Sequence, residues 1–119
     1  MDLPSLYPIV NLQSADSREI ARCRGLAEQL AECGCSLIQL RAKPVGTGVF
    51  AALATELVGA LKQHDARLIV NDRVDVALAA GAAGVHLGDT DLHSHCITHR
   101  MTRKTEDFIC KLKKKFDVF

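Results

Sequence analysis

The sequence lacks both a long hydrophobic run and an export signal. One of its two longest uncharged stretches, residues 76–88, is rich in Ala and Gly. That stretch is shorter than the roughly 18 apolar residues that a membrane-spanning helix requires. The first residues, Met1 to Pro4, contain neither the basic nor the apolar region of a signal peptide. We therefore expect a soluble, cytoplasmic protein that does not associate with membranes.

The chain also lacks a strong excess of either positive or negative charge. Fifteen Lys and Arg residues face 14 Asp and Glu residues, a net charge of +1, which argues against a dedicated nucleic-acid binder. Hydrophobic residues make up 48% of the chain and charged residues 24%, which excludes a disordered protein. A length of 119 residues fits one domain.

Several sequence motifs are absent. No G-x-G-x-x-G or Walker pattern occurs, so nothing supports a nucleotide-binding fold. The five cysteines include no C-x-x-C pair, and we expect them to be reduced thiols that pack as small hydrophobes. Metal binding by Cys33 and Cys35 is the alternative. A second cluster, His93, His95, Cys96 and His99, fits no standard zinc spacing.

Charge divides the chain near residue 92. Residues 1–92 have a net charge of −3, whereas residues 93–119 have a net charge of +4. The second segment has a helical apolar pattern with acidic residues before it and lysines after it, which suits a helix dipole. We predict a main unit over 1–92 and a basic tail over 93–119, either helical or disordered.

Four β-like runs alternate with three helical segments in the main unit. The predicted strands are 6–11, 36–43, 67–72 and 84–88. Asp16, followed by Glu19, predicts the start of the first helix, and Gly34 predicts its end. Thr47 can cap the second helix, and Gly81 ends a third over 74–80. Strands separated by helices predict parallel pairing through right-handed crossovers.

Polar residues gather at the carboxyl ends of the predicted strands, where parallel α/β folds place their chemistry. Gln39, Arg41 and Lys43 share one face of a strand and suit an anion such as phosphate. Asp72 and Asp91 end different strands and suit Mg²⁺. Ordinary surface ion pairs would give the same pattern. By itself, His86 is more typical of a hydrogen-bonded core residue, and Asn71 of a loop cap.

Three blocks of sequence resemble the thiamine-phosphate synthase family, whose superfamily includes the thiazole tautomerases. They are QLRAK at 39–43, LIVNDRVDVALAAGAAGVHLG at 68–88 and DL at 91–92. The resemblance covers most of residues 5–92 and implies the first four strands of a TIM barrel. It also implies the family's reaction, in which a hydroxymethylpyrimidine diphosphate joins a thiazole phosphate and releases diphosphate. The diphosphate motif favours the synthases over the tautomerases.

The resemblance also implies roles for individual residues. The pyrimidine diphosphate would contact Gln39, Arg41, Lys43 and Asn71. Asp72 and Asp91 would hold Mg²⁺, and His86 would line the pocket. The chain departs from the family at Asp89, where Gln is usual.

Length limits what the resemblance can imply, because a whole barrel needs about 200 residues or more. We expect an α/β half-barrel of the TIM-barrel family, truncated to four β/α units and followed by the basic helix. The sequence of the tail looks like the product of a truncated or frame-shifted reading frame. Its edges and inner face would be exposed, which favours self-association. Two functions remain open: a weakly active or inactive synthase that keeps Mg²⁺-dependent diphosphate binding, and a catalytically silent fragment that acts by binding or assembly.

Overall fold

The computed structural model describes residues 7–87, which form parallel strands joined by helices. The elements are β1 (Ile9–Asn11), α1 (Ser17–Glu32), β2 (Leu37–Arg41), α2 (Thr47–Lys62), β3 (Arg67–Asn71), α3 (Val74–Ala80) and β4 (Gly84–His86). The strands pair in parallel in the order β1-β2-β3-β4, so the predicted β-α-β-α-β-α-β pattern is confirmed. Within this part of the chain, no helix is both long enough and apolar enough to cross a membrane. The tail at 93–119 lies outside the described residues, so its helix and the boundary at 92 stay predictions.

The first helix begins at a side-chain cap, as predicted. The Asp16 carboxylate accepts a hydrogen bond from the backbone N–H of Arg18 at 2.8 Å. Glu19 does not complete a standard capping box, in which its carboxylate would bond to the N–H of the cap residue. It accepts instead from the N–H of Gln13 at 2.9 Å and pairs with the Arg22 guanidinium. Glu19 therefore ties the loop before α1 to the first turn of the helix.

This arrangement predicts a pH dependence of stability. The Arg22 hydrogen bond, followed by the Gln13 N–H, lowers the pKa of Glu19 from 4.5 to about 2. A carboxylate with a lowered pKa stabilises the folded state above its unfolded pKa and loses this contribution as the pH falls towards its folded pKa. The free energy of unfolding of Glu19→Gln should therefore approach that of the wild type on acidification from neutral pH to about pH 3. Urea denaturation at both pH values measures this, with Glu32→Gln at the last residue of α1 as the control. A gap that stays constant or widens would contradict the assignment.

Gly34 and Gly81 end α1 and α3 as predicted. Their backbones adopt positive φ angles of +99° and +70°. After α3, the N–H of Ala82 donates to the carbonyl of Ala77 at 3.0 Å. Glycine adopts this left-handed conformation without the steric penalty that a Cβ brings.

A pair of glycine substitutions isolates this backbone effect. Gly81→Ala should lower the free energy of unfolding by about 1 kcal/mol, because alanine is strained at a positive φ. Gly59→Ala, inside α2, should raise it by about 0.5 kcal/mol, because alanine favours the helix. A Cβ at either position meets no atom within 4 Å, so packing does not confuse the comparison. Urea denaturation measures both effects, and changes of the same sign would contradict the assigned backbone roles.

The start of α2 differs from the prediction. Gly46 is the N-cap residue and supplies no side-chain hydrogen bond, whereas Thr47 is the first residue of the helix. The Thr47 hydroxyl accepts from the Arg73 guanidinium at 2.6 Å. The predicted cap was therefore wrong by one residue. The buried side chains of α2 are Phe50, Leu53, Ala54, Leu57 and Leu61.

The main core lies between the helices and one face of the sheet. Alternate residues of each strand point to this face. The strand residues in this core are Val10, Ile38, Leu40, Leu68, Val70 and Val85. A smaller cluster on the opposite face joins Leu37 and Ile69 to Tyr7 and Ala83. The continuous apolar run of β3 reflects burial on both faces.

The expectation of an exposed inner face was wrong for four of the residues that the structure describes there, whereas Arg41 and Asn71 on the same face are half-buried and Arg67 is exposed. Four side chains on the face away from the helices are buried, with exposed fractions of 0%, 1%, 0% and 3% for Leu37, Gln39, Ile69 and His86. Neighbouring side chains account for part of this burial. Tyr7 and Ala83 pack over the two apolar members, and the Gln39 amide bonds to Tyr7. Apolar packing and a satisfied polar pair therefore replace solvent on much of this face.

Candidate functional site

The carboxyl ends of the strands bring four polar residues into one row. Asn11 is the register partner of Arg41, and Asn71 is the partner of His86. The residues just before Arg41 and Asn71 are also paired with each other, so the row continues across β2 and β3. Because side chains alternate along a strand, all four lie on the face away from the helices. We call these four residues the carboxyl-edge row.

Arg41 is the cation of this row. Its side chain is half-buried, and its Nη1 donates to the Asn11 side-chain oxygen at 3.4 Å. The Arg41 carbonyl accepts from the N–H of Leu12 at 2.7 Å, which continues the pairing of β1 with β2 past the row. Sequence reasoning missed Asn11. The available signal was its position at the carboxyl end of the first predicted strand.

The end of β1 is also anchored to α1. Arg22 donates from Nη2 to the Asn11 carbonyl at 3.0 Å, and the Cys23 thiol lies 3.6 Å from the same oxygen. Burial raises the pKa of the Cys23 thiol, consistent with the expected structural role of a packed cysteine. Cys33 and Cys35 are free thiols. The Arg22–Glu19 pair thus holds the backbone that presents Asn11 to Arg41.

Gln39 lies one layer towards the amino end of the sheet from Arg41. Its Nε2 donates to the Tyr7 hydroxyl at 2.9 Å. Burial raises the pKa of Tyr7, and the hydrogen bond from Gln39 lowers it to a smaller extent. Tyr7 was not predicted as a site residue. The hydrogen bond joins a buried amide to a half-buried hydroxyl beneath the carboxyl-edge row.

Lys43 lies outside this row. It is exposed in the turn between β2 and α2. A lysine in such a turn is a mobile point charge at the end of a flexible stem. The three anion ligands predicted on the second strand are therefore a buried amide and a half-buried guanidinium in β2 and an exposed ammonium in the turn that follows it.

Asp72 follows β3 in a strained turn. Its φ angle is +71°, which is unusual for a residue other than glycine. Its N–H donates to the His86 carbonyl at 2.8 Å, and the N–H of Arg73 donates to the Asn71 carbonyl at 2.8 Å. The second bond closes a three-residue γ-turn centred on Asp72. Strained backbone of this kind is concentrated at functional sites, so Asp72 becomes a candidate on geometry as well as on sequence.

The second predicted metal ligand, Asp91, and the unusual Asp89 lie outside the described residues. Within residues 7–87, no three His, Cys, Asp or Glu side chains gather in a group that would hold a metal ion. The structure therefore places Asp72 beside the carboxyl-edge row and leaves its pairing with Asp91 a prediction.

A family model described as thiamine monophosphate synthase matches residues 6–105. The chain belongs to this family. The predicted family resemblance is confirmed, and the match continues past residue 92, the end of the predicted main unit.

Curated relatives of the thiamine monophosphate synthase family match the same part of the chain. A thiamine-phosphate synthase from Solidesulfovibrio magneticus is 42% identical over 89 residues, covering 75% of this chain and 41% of that protein. One from Albidiferax ferrireducens is 41% identical over 87 residues, covering 73% and 38%. The chain thus spans about two fifths of the length of these relatives.

A solved family structure matches the fold. Thiamine phosphate pyrophosphorylase from Pyrococcus furiosus superposes with a TM-score of 0.67 and 30% sequence identity. The match covers 78% of this chain and 43% of that one. It confirms the predicted fold class, since the four parallel strands and three helices over 7–87 correspond to part of that TIM-barrel-like fold.

Proposed function

We propose that this chain forms the pyrimidine-diphosphate-binding part of a thiamine-phosphate synthase that acts in thiamine biosynthesis. The observation that carries the proposal is the carboxyl-edge row, in which the Arg41 guanidinium lies among polar side chains at the end of a parallel sheet. Ligands of parallel α/β folds bind at this end of the strands. Family membership supplies the substrate class.

Arg41 suits a diphosphate through its chemistry and its exposure. A guanidinium presents five N–H donors in a planar fork that matches phosphate oxygens. One of these donors reaches Asn11, which orients the fork, and the side chain remains accessible enough to meet a ligand. Lys43 adds a second, mobile cation from the neighbouring turn. The two cations together favour a ligand with several negative charges.

Asp72 and Asp91 are our proposed ligands for Mg²⁺. The hard oxygens of a carboxylate suit this ion, and Asp72 is fixed in place by its backbone hydrogen bond to His86. When bound, Mg²⁺ would neutralise charge on the diphosphate. Asn71 and His86 belong to the row and lie beside Asp72, and they would orient the pyrimidine end of the substrate.

The proposed reaction depends on stabilising the leaving group. The bond between the pyrimidine methylene carbon and diphosphate breaks, and the thiazole nitrogen then captures the cation. Arg41 and Lys43 would stabilise the charge that develops on the departing diphosphate. No strong base is required for this step. An accessible site also admits water, which would consume the cation before the thiazole could react.

We therefore expect the 119-residue chain, assayed by itself, to bind diphosphate with Mg²⁺ but to show negligible coupling turnover. The test is a coupling assay with both substrates and Mg²⁺, run alone and after mixing with a separately produced second half of a related synthase. Isothermal calorimetry with inorganic diphosphate, in Mg²⁺ and then in EDTA, accompanies the assay.

Robust thiamine phosphate production by the chain alone would overturn the turnover claim. A chain that binds no diphosphate would favour the catalytically silent alternative. Self-association and a cytoplasmic location stay predictions.

A further inference from the structure

Arg73 connects two loops at the carboxyl end of the sheet. Its Nη2 donates to the Thr47 hydroxyl at 2.6 Å. The same guanidinium donates hydrogen bonds to both carboxylate oxygens of Asp75, from Nε at 3.0 Å and from Nη2 at 2.7 Å. Thr47 begins α2, and Asp75 lies in the first turn of α3. One side chain therefore joins the start of α2 to the start of α3.

These two helix starts follow the loops that carry the proposed diphosphate and metal ligands. Lys43 lies in the turn that leads to Thr47, and Asp72 immediately precedes Arg73. The backbone at Asp72 has a positive φ, a conformation that persists only where surrounding contacts enforce it. The side-chain contacts of Arg73 restrain the residue that ends this strained turn.

We propose that Arg73 is a positioning residue that holds the Asp72 turn and the loop before α2 in one arrangement, so that Asp72 and Lys43 act on the same diphosphate. This role rests on the proposed function. It requires a guanidinium, because a fork with several donors can serve the hydroxyl and both carboxylate oxygens together. Lysine has a single nitrogen and can replace only part of this set of contacts.

The chain contains a matched control for an exposed ion pair without this role. Arg24 donates from Nε to the Glu56 carboxylate at 2.7 Å and joins α1 to α2. Both ion pairs are substantially exposed, so each by itself contributes little to global stability. The Arg24 pair lies on the helices, whereas the Arg73 pair adjoins the Asp72 turn.

Amide hydrogen exchange tests the restraint without any ligand. In Arg73→Ala, the amide of Asp72, which donates to the His86 carbonyl, should exchange about tenfold faster than in the wild type. Arg24→Ala should leave this amide unchanged, and because both ion pairs are exposed, the two variants should have similar unfolding midpoints. Thr47→Val removes only the hydroxyl acceptor and should give a smaller increase, which keeps the test open if Arg73→Ala does not fold. An unchanged Asp72 amide, or an equal change in Arg24→Ala, would overturn the proposal.

Ligand binding supplies the second readout. With Mg²⁺ present, the affinity for inorganic diphosphate should fall about tenfold in Arg73→Ala and less in Arg73→Lys, since a charge remains. Arg24→Ala should bind like the wild type. Equal affinities in Arg73→Ala and Arg24→Ala would overturn the positioning role. If the wild type binds no diphosphate, the proposed function fails, and the exchange experiment still decides what Arg73 does.

Discussion

Arg41→Ala is expected to weaken the binding of inorganic diphosphate by about thirtyfold, which corresponds to about 2 kcal/mol. The substitution removes the half-buried cation of the carboxyl-edge row, whose hydrogen bonds to phosphate oxygens would be charge-assisted. Lys43→Ala should have a smaller effect, because an exposed lysine is strongly hydrated and flexible. Isothermal calorimetry at constant Mg²⁺ measures both affinities.

Arg67→Ala is the matched control for Arg41→Ala. Arg67 is the first residue of β3, so it lies at the amino ends of the strands, and the carboxyl-edge row lies at their carboxyl ends. Its loss changes the net charge by the same amount and should leave the diphosphate affinity within about twofold of the wild type. Equal losses in the two variants would show that diphosphate responds to overall charge, and the site would then not be the one proposed.

Phe50→Ala is expected to lower the free energy of unfolding by about 3–5 kcal/mol. Phe50 lies in the first turn of α2 with only 2% of its surface exposed. Phe50 belongs to the main core, so the cavity left by the ring would open inside that core. Such a loss is a large fraction of the typical stability of a small domain.

Urea denaturation measures this loss, and Leu78→Ala supplies the comparison. Leu78 is a large apolar residue with 51% of its surface exposed, and its truncation should cost about 0.5 kcal/mol or less. Losses of similar size in the two variants would contradict the assigned core.

Local signals predicted the order of the elements and several helix ends. Asp16, Gly34 and Gly81 each act through their own backbone or a neighbouring N–H, so the sequence is sufficient to find them. Strand lengths were overestimated. The predicted strand at 36–43 is Leu37–Arg41 in the structure, because pairing with the neighbouring strands sets where a ladder ends. The sequence of one strand does not show where its pairing with the neighbouring strands ends.

The candidate site was predictable where a residue's own strand position sufficed. Arg41, Asn71 and His86 follow from the carboxyl ends of predicted strands and from the family resemblance, and the structure places them in one row. Asn11 was missed because its importance depends on its register with Arg41, a relation between strands that are far apart in sequence. The contact between Thr47 and Arg73 is non-local in the same way.

Binding of diphosphate at the carboxyl-edge row can be observed by an NMR titration of the ¹⁵N-labelled chain with diphosphate and Mg²⁺. We expect the largest amide shifts at the four residues of the row and in the turn at Asp72, and small shifts on the helices that cover the other face of the sheet. Largest shifts on α1 or α2, with the row unmoved, would contradict binding at the row.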